Sequence, residues 1–188
     1  MSCLERAEGF ARRAVAANPA YADGQIWLAV ALGYETRIIG PVEARLKGLP
    51  GQAKEAIDRA VKEDPANPYG LAALGGWNIE LVRLGGDYLA DKLYGASEVA
   101  GLALFERAVK AAPGNVAVHF QIALSLAGFD RARFTERIHT ELEAAIASTP
   151  ETAYERLVRG RARDLLALIK QGDDDAIETR VRKYQGYP

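Results

Sequence analysis

Four segments of the chain share one pattern, and no other feature constrains the fold as tightly. They are residues 11–19, 57–65, 105–113 and 142–150, each closing on a proline. Each carries an alanine five residues before that proline: Ala14, Ala60, Ala108 and Ala145. Eight residues before it stand Ile57, Phe105 and Leu142, with Ala11 in the first segment. Two positions three residues apart share one face of a helix. Proline then stops the helix, because it lacks an N–H and disfavours helical backbone at the residue before it.

A second apolar stretch follows each proline: residues 26–34, 71–79, 118–126 and 154–169. Nine and ten residues past the proline these carry a large and a small residue, Leu28-Ala29, Leu74-Gly75 and Ile122-Ala123, with Arg159-Gly160 as a degenerate fourth pair. The small residue is where a neighbouring helix can approach closely. Every periodic apolar segment repeats at three and four residues, not at two, which predicts an all-α fold of about nine to eleven helices.

Helix, turn, helix and a closing proline resemble the tetratricopeptide repeat, a hairpin of about 34 residues with a Leu-Gly pair in its first helix and Ala, Phe, Ala and Pro around its second. Leu74-Gly75, Ala53, Ile57, Ala60 and Pro65 match it, and Phe105, Ala108 and Pro113 match it again. The resemblance implies a right-handed solenoid of about four antiparallel hairpins, forming one domain over residues 1–188. The prolines are spaced 46, 48 and 37 residues apart, so the first two units carry inserts, placed at residues 37–51 and 79–96. Gly40-Pro41 and Pro50-Gly51 bound the first; Gly85-Gly86 ends the helix leading into the second, and Ser97 caps a new helix after it. This order, with Leu74-Gly-Gly-Trp77 and Leu93-Tyr-Gly-Ala-Ser97 ahead of Leu104–Ala108, is similar to the tetratricopeptide-like domain of the regulator of microtubule dynamics family. Residues 4–17 read as the second helix of a repeat, so the pattern opens inside a hairpin. At the other end, Asp173–Asp175 and Arg180, Arg182 and Lys183 put acids first and bases last on a polar helix, the cap that stacked repeats need.

Composition narrows the function. Lys and Arg total 24 against 25 Asp and Glu, a balance that offers no global attraction for nucleic acid. No apolar run is long enough for a membrane span, and the first six residues are not a signal peptide. The expected compartment is the cytoplasm, with the periplasm as the alternative for a chain carrying a leader upstream. Cys3 is the one cysteine, too few for a disulfide or a Cys-rich metal site. His119 and His139 are far apart and outside any zinc-binding motif, and no phosphate-binding glycine loop or serine elbow is present. These absences point to a non-enzymatic protein without metal or cofactor. His119 is expected to pack or to line a groove, His139 to be solvated, and Trp27 and Trp77 to pack between hairpins. Arg156, Arg159 and Arg163 form a basic stripe opposite an apolar face and read as solvated.

Function then rests on the concave surface that stacked first helices create. In the repeat, the positions facing it are Ile26, Val30 and Tyr34, Ala72, Gly76 and Ile79, Phe120 and Leu124, and Leu157 with Arg161. Their apolar character disfavours capture of a peptide's terminal carboxylate. It suits a protein or peptide partner, with a small apolar ligand such as a lipid as the alternative. Five large apolar residues in the set are expected to be covered, either by a partner or by the inserts at 37–51 and 79–96.

Overall fold

A computed structural model describes residues 3–188. Among them there are ten helices and no strand: α1 (Cys3–Ala17), α2 (Ala22–Ile39), α3 (Pro41–Leu46), α4 (Leu49–Glu63), α5 (Pro68–Tyr94), α6 (Glu98–Ala111), α7 (Val116–Asp130), α8 (Thr135–Ala147), α9 (Ala153–Gln171) and α10 (Asp174–Gln185). The all-α expectation holds. No described helix is long and apolar enough to cross a membrane.

The prolines act as the pattern predicts. α1, α4 and α6 end two residues before Pro19, Pro65 and Pro113, and α8 ends three before Pro150. The residues just ahead of Pro65 and Pro113 leave helical geometry, Asp64 at φ −136° and Ala112 at φ −144°, as a following proline demands. The chain then re-enters a helix under a side-chain cap. Asn67 accepts from the amides of Tyr69 and Gly70, Asn115 from those of Ala117 and Val118, and Thr152 forms a capping box with Glu155. These caps also join one helix start to the next. The Asn67 amide donates to Asp23 of α2 at 3.3 Å, and the Asn115 amide donates to Tyr69 of α5 at 2.9 Å and to Glu155 of α9 at 3.1 Å.

Each helix before a proline packs on the helix preceding it in its unit, α4 on α2, α6 on α5 and α8 on α7. The first helices of successive units also touch, α2 with α5, α5 with α7 and α7 with α9. The alanines mark the crossings: Ala60, Ala108 and Ala145 are fully buried. Ala14 is only half-buried. Where α5 crosses α6 the backbones close on each other, and a Cβ added to Gly75 would lie 2.6 Å from the Phe105 ring and 3.0 Å from the Gly101 carbonyl. The larger core runs from α5 to α10 and a smaller one joins α1, α2, α3 and α4. Substituting Leu for Ala60 or Ala108 overpacks these crossings, with an expected cost of about 1–3 kcal/mol each; urea unfolding checks it, and midpoints equal to the parent would refute the registration.

The two inserts are helical. The first contributes α3, while Pro50 sits in the opening turn of α4 instead of breaking the chain, because proline fits a position whose N–H has no helical acceptor. The second continues α5, interrupted only at Gly86, where φ is 73°. Beyond that kink Ala90 and Ala96 pack with Val82 in a small cluster of their own.

Candidate functional site

Of the ten residues picked out by repeat position, Ile79 is buried in the main core and Leu157 is 54% exposed, and the other eight fall into two groups. Ile26 and Ala72 are buried between helices, Ile26 beside Ala60 and Ala22 and Ala72 in the main core. Val30 is half-buried on α2, and Gly76 of α5 lies against Gln121 and Ser125 of α7. The other four, Tyr34, Phe120, Leu124 and Arg161, meet one segment of the chain: the end of α10 and the residues after it.

That segment crosses four helices. Tyr184 stands edge-on to Phe120 of α7 with ring centroids 6.0 Å apart, and the Arg161 guanidinium of α9 lies 5.0 Å from its ring. The Gln185 amide donates to the Leu124 carbonyl at 3.2 Å, in space that a Cβ on Gly128 would fill. Gly186, at φ 88°, lies flat on Tyr34 of α2, where any Cβ would overlap the ring. The Tyr187 hydroxyl donates to Glu80 of α5 and accepts from Arg83 at 2.7 Å. Three guanidiniums approach its ring, Arg37 at 5.8 Å, Arg83 at 5.7 Å and Arg182 at 5.0 Å, within the range at which a ring quadrupole attracts cations.

Phe120 and Leu124 are therefore covered, at 3% and 4% exposed, and the carboxy-terminal helix covers them. The inserts pack elsewhere, except that Arg37, Glu80 and Arg83 at their starts reach Tyr187. The electrostatics match. Burial pushes the Tyr187 hydroxyl upward and the neighbouring Glu80 charge adds to it. Burial alone would also raise Glu80, but hydrogen bonds from Arg83 and Tyr187 outweigh it and hold the carboxyl below the usual range. An ionised Glu80 thus faces a protonated phenol.

Trp27 departs from the expected packing between hairpins. It is 50% exposed and meets Tyr154 of α9 edge-on, with centroids 5.8 Å apart. This ring pair links α2 to α9. Trp77 is half-buried between Tyr94 and Lys54. Trp27 also belongs to an apolar cleft of about 460 Å³ between α1 and α2, with Phe10, Tyr21, Val30 and Tyr34 among its walls. On α9, Arg156 and Arg163 are exposed and Arg159 half-exposed, opposite the buried Val158, Ala162 and Leu165.

His119 packs, as expected, in a buried polar cluster. Its Nδ1 is 2.5 Å from a Glu141 oxygen and its Nε2 is 2.9 Å from the Pro113 carbonyl. The Pro113 carbonyl can only accept, so Nε2 carries a proton. The hydrogen bond to Glu141 raises the His119 pKa against the opposing effect of burial, and Arg137 holds the other Glu141 oxygen at 2.6 Å. His139 is half-exposed.

Residue-level reading missed Glu80, Arg83, Tyr184, Gly186 and Tyr187. The available signal was two tyrosines flanking a glycine at the end of an otherwise polar helix. No family model, no curated protein and no solved structure matches this chain.

Proposed function

We propose that this chain is a tetratricopeptide-like domain, built as a solenoid of hairpins similar in order to the repeat domain of the regulator of microtubule dynamics family. In this reading it acts without catalysis, by holding a segment of a protein partner on the face made by α2, α5, α7 and α9. One observation carries the reading: residues 184–187 already lie across that face and touch all four helices. A surface that holds one extended segment by an aromatic edge, a backbone carbonyl and a charge-flanked phenol has the chemistry to hold another. The pattern of alanines at the helix crossings and prolines after them supports the repeat assignment.

Selection from a random peptide library displayed on phage, followed by photo-crosslinking of the enriched peptides, tests it. Crosslinks are expected at Tyr34, Arg83 and Arg161. Crosslinks confined to α4, α6 and α8, or no enrichment, would overturn the reading.

A second reading has its own support. The cleft between α1 and α2 has the volume of small-ligand sites, about 300–1,000 Å³, and its walls are almost wholly apolar, which suits a carrier of a small apolar molecule. A mass adduct of lipid size retained in native mass spectrometry, and lost in Trp27→Asp, would establish it.

A further inference from the structure

The last residues of the chain differ from the helix that carries them. Ile177 and Val181 of α10 are buried in the main core at 0% and 3% exposed. Arg180 and Tyr184 are both tied to Asp164 of α9, the Tyr184 hydroxyl at 2.6 Å, and Arg131, the residue after α7, reaches Asp174 at 2.8 Å. That helix cannot leave without opening the core. Residues 186–188 can, by giving up the backbone bonds of Gly186 to Lys183 and of Tyr187 to Arg182, because the surface beneath them keeps its own partners. Glu80 retains two hydrogen bonds from Arg83, at 2.8 and 2.9 Å. Tyr34 retains the Arg37 guanidinium at 5.9 Å, and the Leu124 carbonyl lies in a helix interior where a backbone donor is supplied. No buried charge is orphaned when the tail lifts.

We propose that this surface is a docking site for a glycine–tyrosine pair, occupied in cis by Gly186 and Tyr187, and that a protein partner enters by presenting the same pair and displacing them. The inference rests on the reading under Proposed function and names the partner's chemistry. The positive φ of Gly186 closes α10; the surface itself requires glycine because a Cβ there would overlap the Tyr34 ring. An aromatic ring is required by the Arg37 and Arg83 guanidiniums, 5.8 and 5.7 Å from its centre. The ring must be a phenol, because Glu80 accepts a hydrogen bond and Arg83 donates one at the same oxygen, and phenylalanine answers neither. Competition by the resident tail lowers the apparent affinity for any partner by the fraction of molecules whose site is free.

The experiment uses the full chain and a fluorescent hexapeptide with the sequence of residues 183–188, followed by anisotropy. In Gly186→Val a branched side chain at positive φ expels the tail end while α10 stays seated, which an unchanged circular dichroism spectrum verifies. Tyr187→Ala, which removes the resident phenol without touching the core, is the second variant. Both are expected to bind the peptide at least about tenfold more tightly than the unsubstituted chain. Adding Arg83→Ala should remove that gain, and a peptide with phenylalanine in place of the last tyrosine should bind about fivefold more weakly. Equal affinity of the variants and the parent, or no binding to any of them, overturns the proposal. If library peptides still crosslink to the face, only this inference falls; if neither binds, the interaction reading falls with it.

Discussion

Glu141→Ala is expected to destabilise the fold by about 3–5 kcal/mol, because it removes the buried carboxyl that holds both His119 and Arg137. Glu141 is 3% exposed and His119 4%, and Glu141 holds His119 and Arg137 at once. Urea unfolding at pH 6 measures the loss; a change below about 1 kcal/mol would show that the cluster is not charged. The pH dependence has a defined sign. The folded His119 pKa is raised above its ordinary value of 6.5, so its contribution is complete below that value and is lost as pH rises through the folded pKa. The parent should therefore weaken from neutral towards alkaline pH, and Glu141→Ala should lose that trend.

Phe105→Ala should be as damaging, at about 3–5 kcal/mol, since the ring is 1% exposed and fills the crossing of α5 and α6. Gly75→Ala should cost about 1–3 kcal/mol in the parent, where the new methyl meets that ring at 2.6 Å. In the Phe105→Ala background the same methyl enters the vacated space, and its cost should shrink to below about 1 kcal/mol, set by the Gly101 carbonyl alone. A double-mutant cycle of thermal or urea unfolding reads the difference. Strict additivity would mean that Gly75 and Phe105 do not share the contact.

The helices were legible in the sequence because their determinants are local. Proline at 19, 65, 113 and 150 stops a helix through its own ring, and a buried alanine three residues after a larger apolar residue needs only helical periodicity to be recognised. The Gly86 kink and the Ser97 cap were legible for the same reason. Ala14 lacks the burial of its counterparts although its local pattern is the same, because burial depends on what lies against α1. Trp27 was misplaced because its contact with Tyr154 depends on where α9 lies relative to α2, which no short segment encodes. The groove's occupant was hidden more deeply. α10 carries acids at its start and bases at its end and reads as a solvated cap, yet Ile177 and Val181 seat it on α7 and α9, and this delivers Tyr187 to Glu80 across the whole length of the chain. Positions such as Phe120, Leu124 and Arg161 could be singled out by register, whereas their contacts with Tyr184 and Gln185 could not.

The meeting of Trp27 with Tyr154 bears on how such a chain can change over generations. Stacks in which each unit touches only its neighbours tolerate gain or loss of a unit, since the interfaces are interchangeable. In the proposed stack the first unit also touches the last, through Trp27 and Tyr154, and the tail reaches back from α9 to α2. Duplicating or deleting one hairpin would separate the indole from its phenol partner and carry Tyr187 past the Glu80–Arg83 pair. The number of hairpins is thereby locked, and variation is channelled into the lengths of the segments between them, where α3 and the extension of α5 already lie.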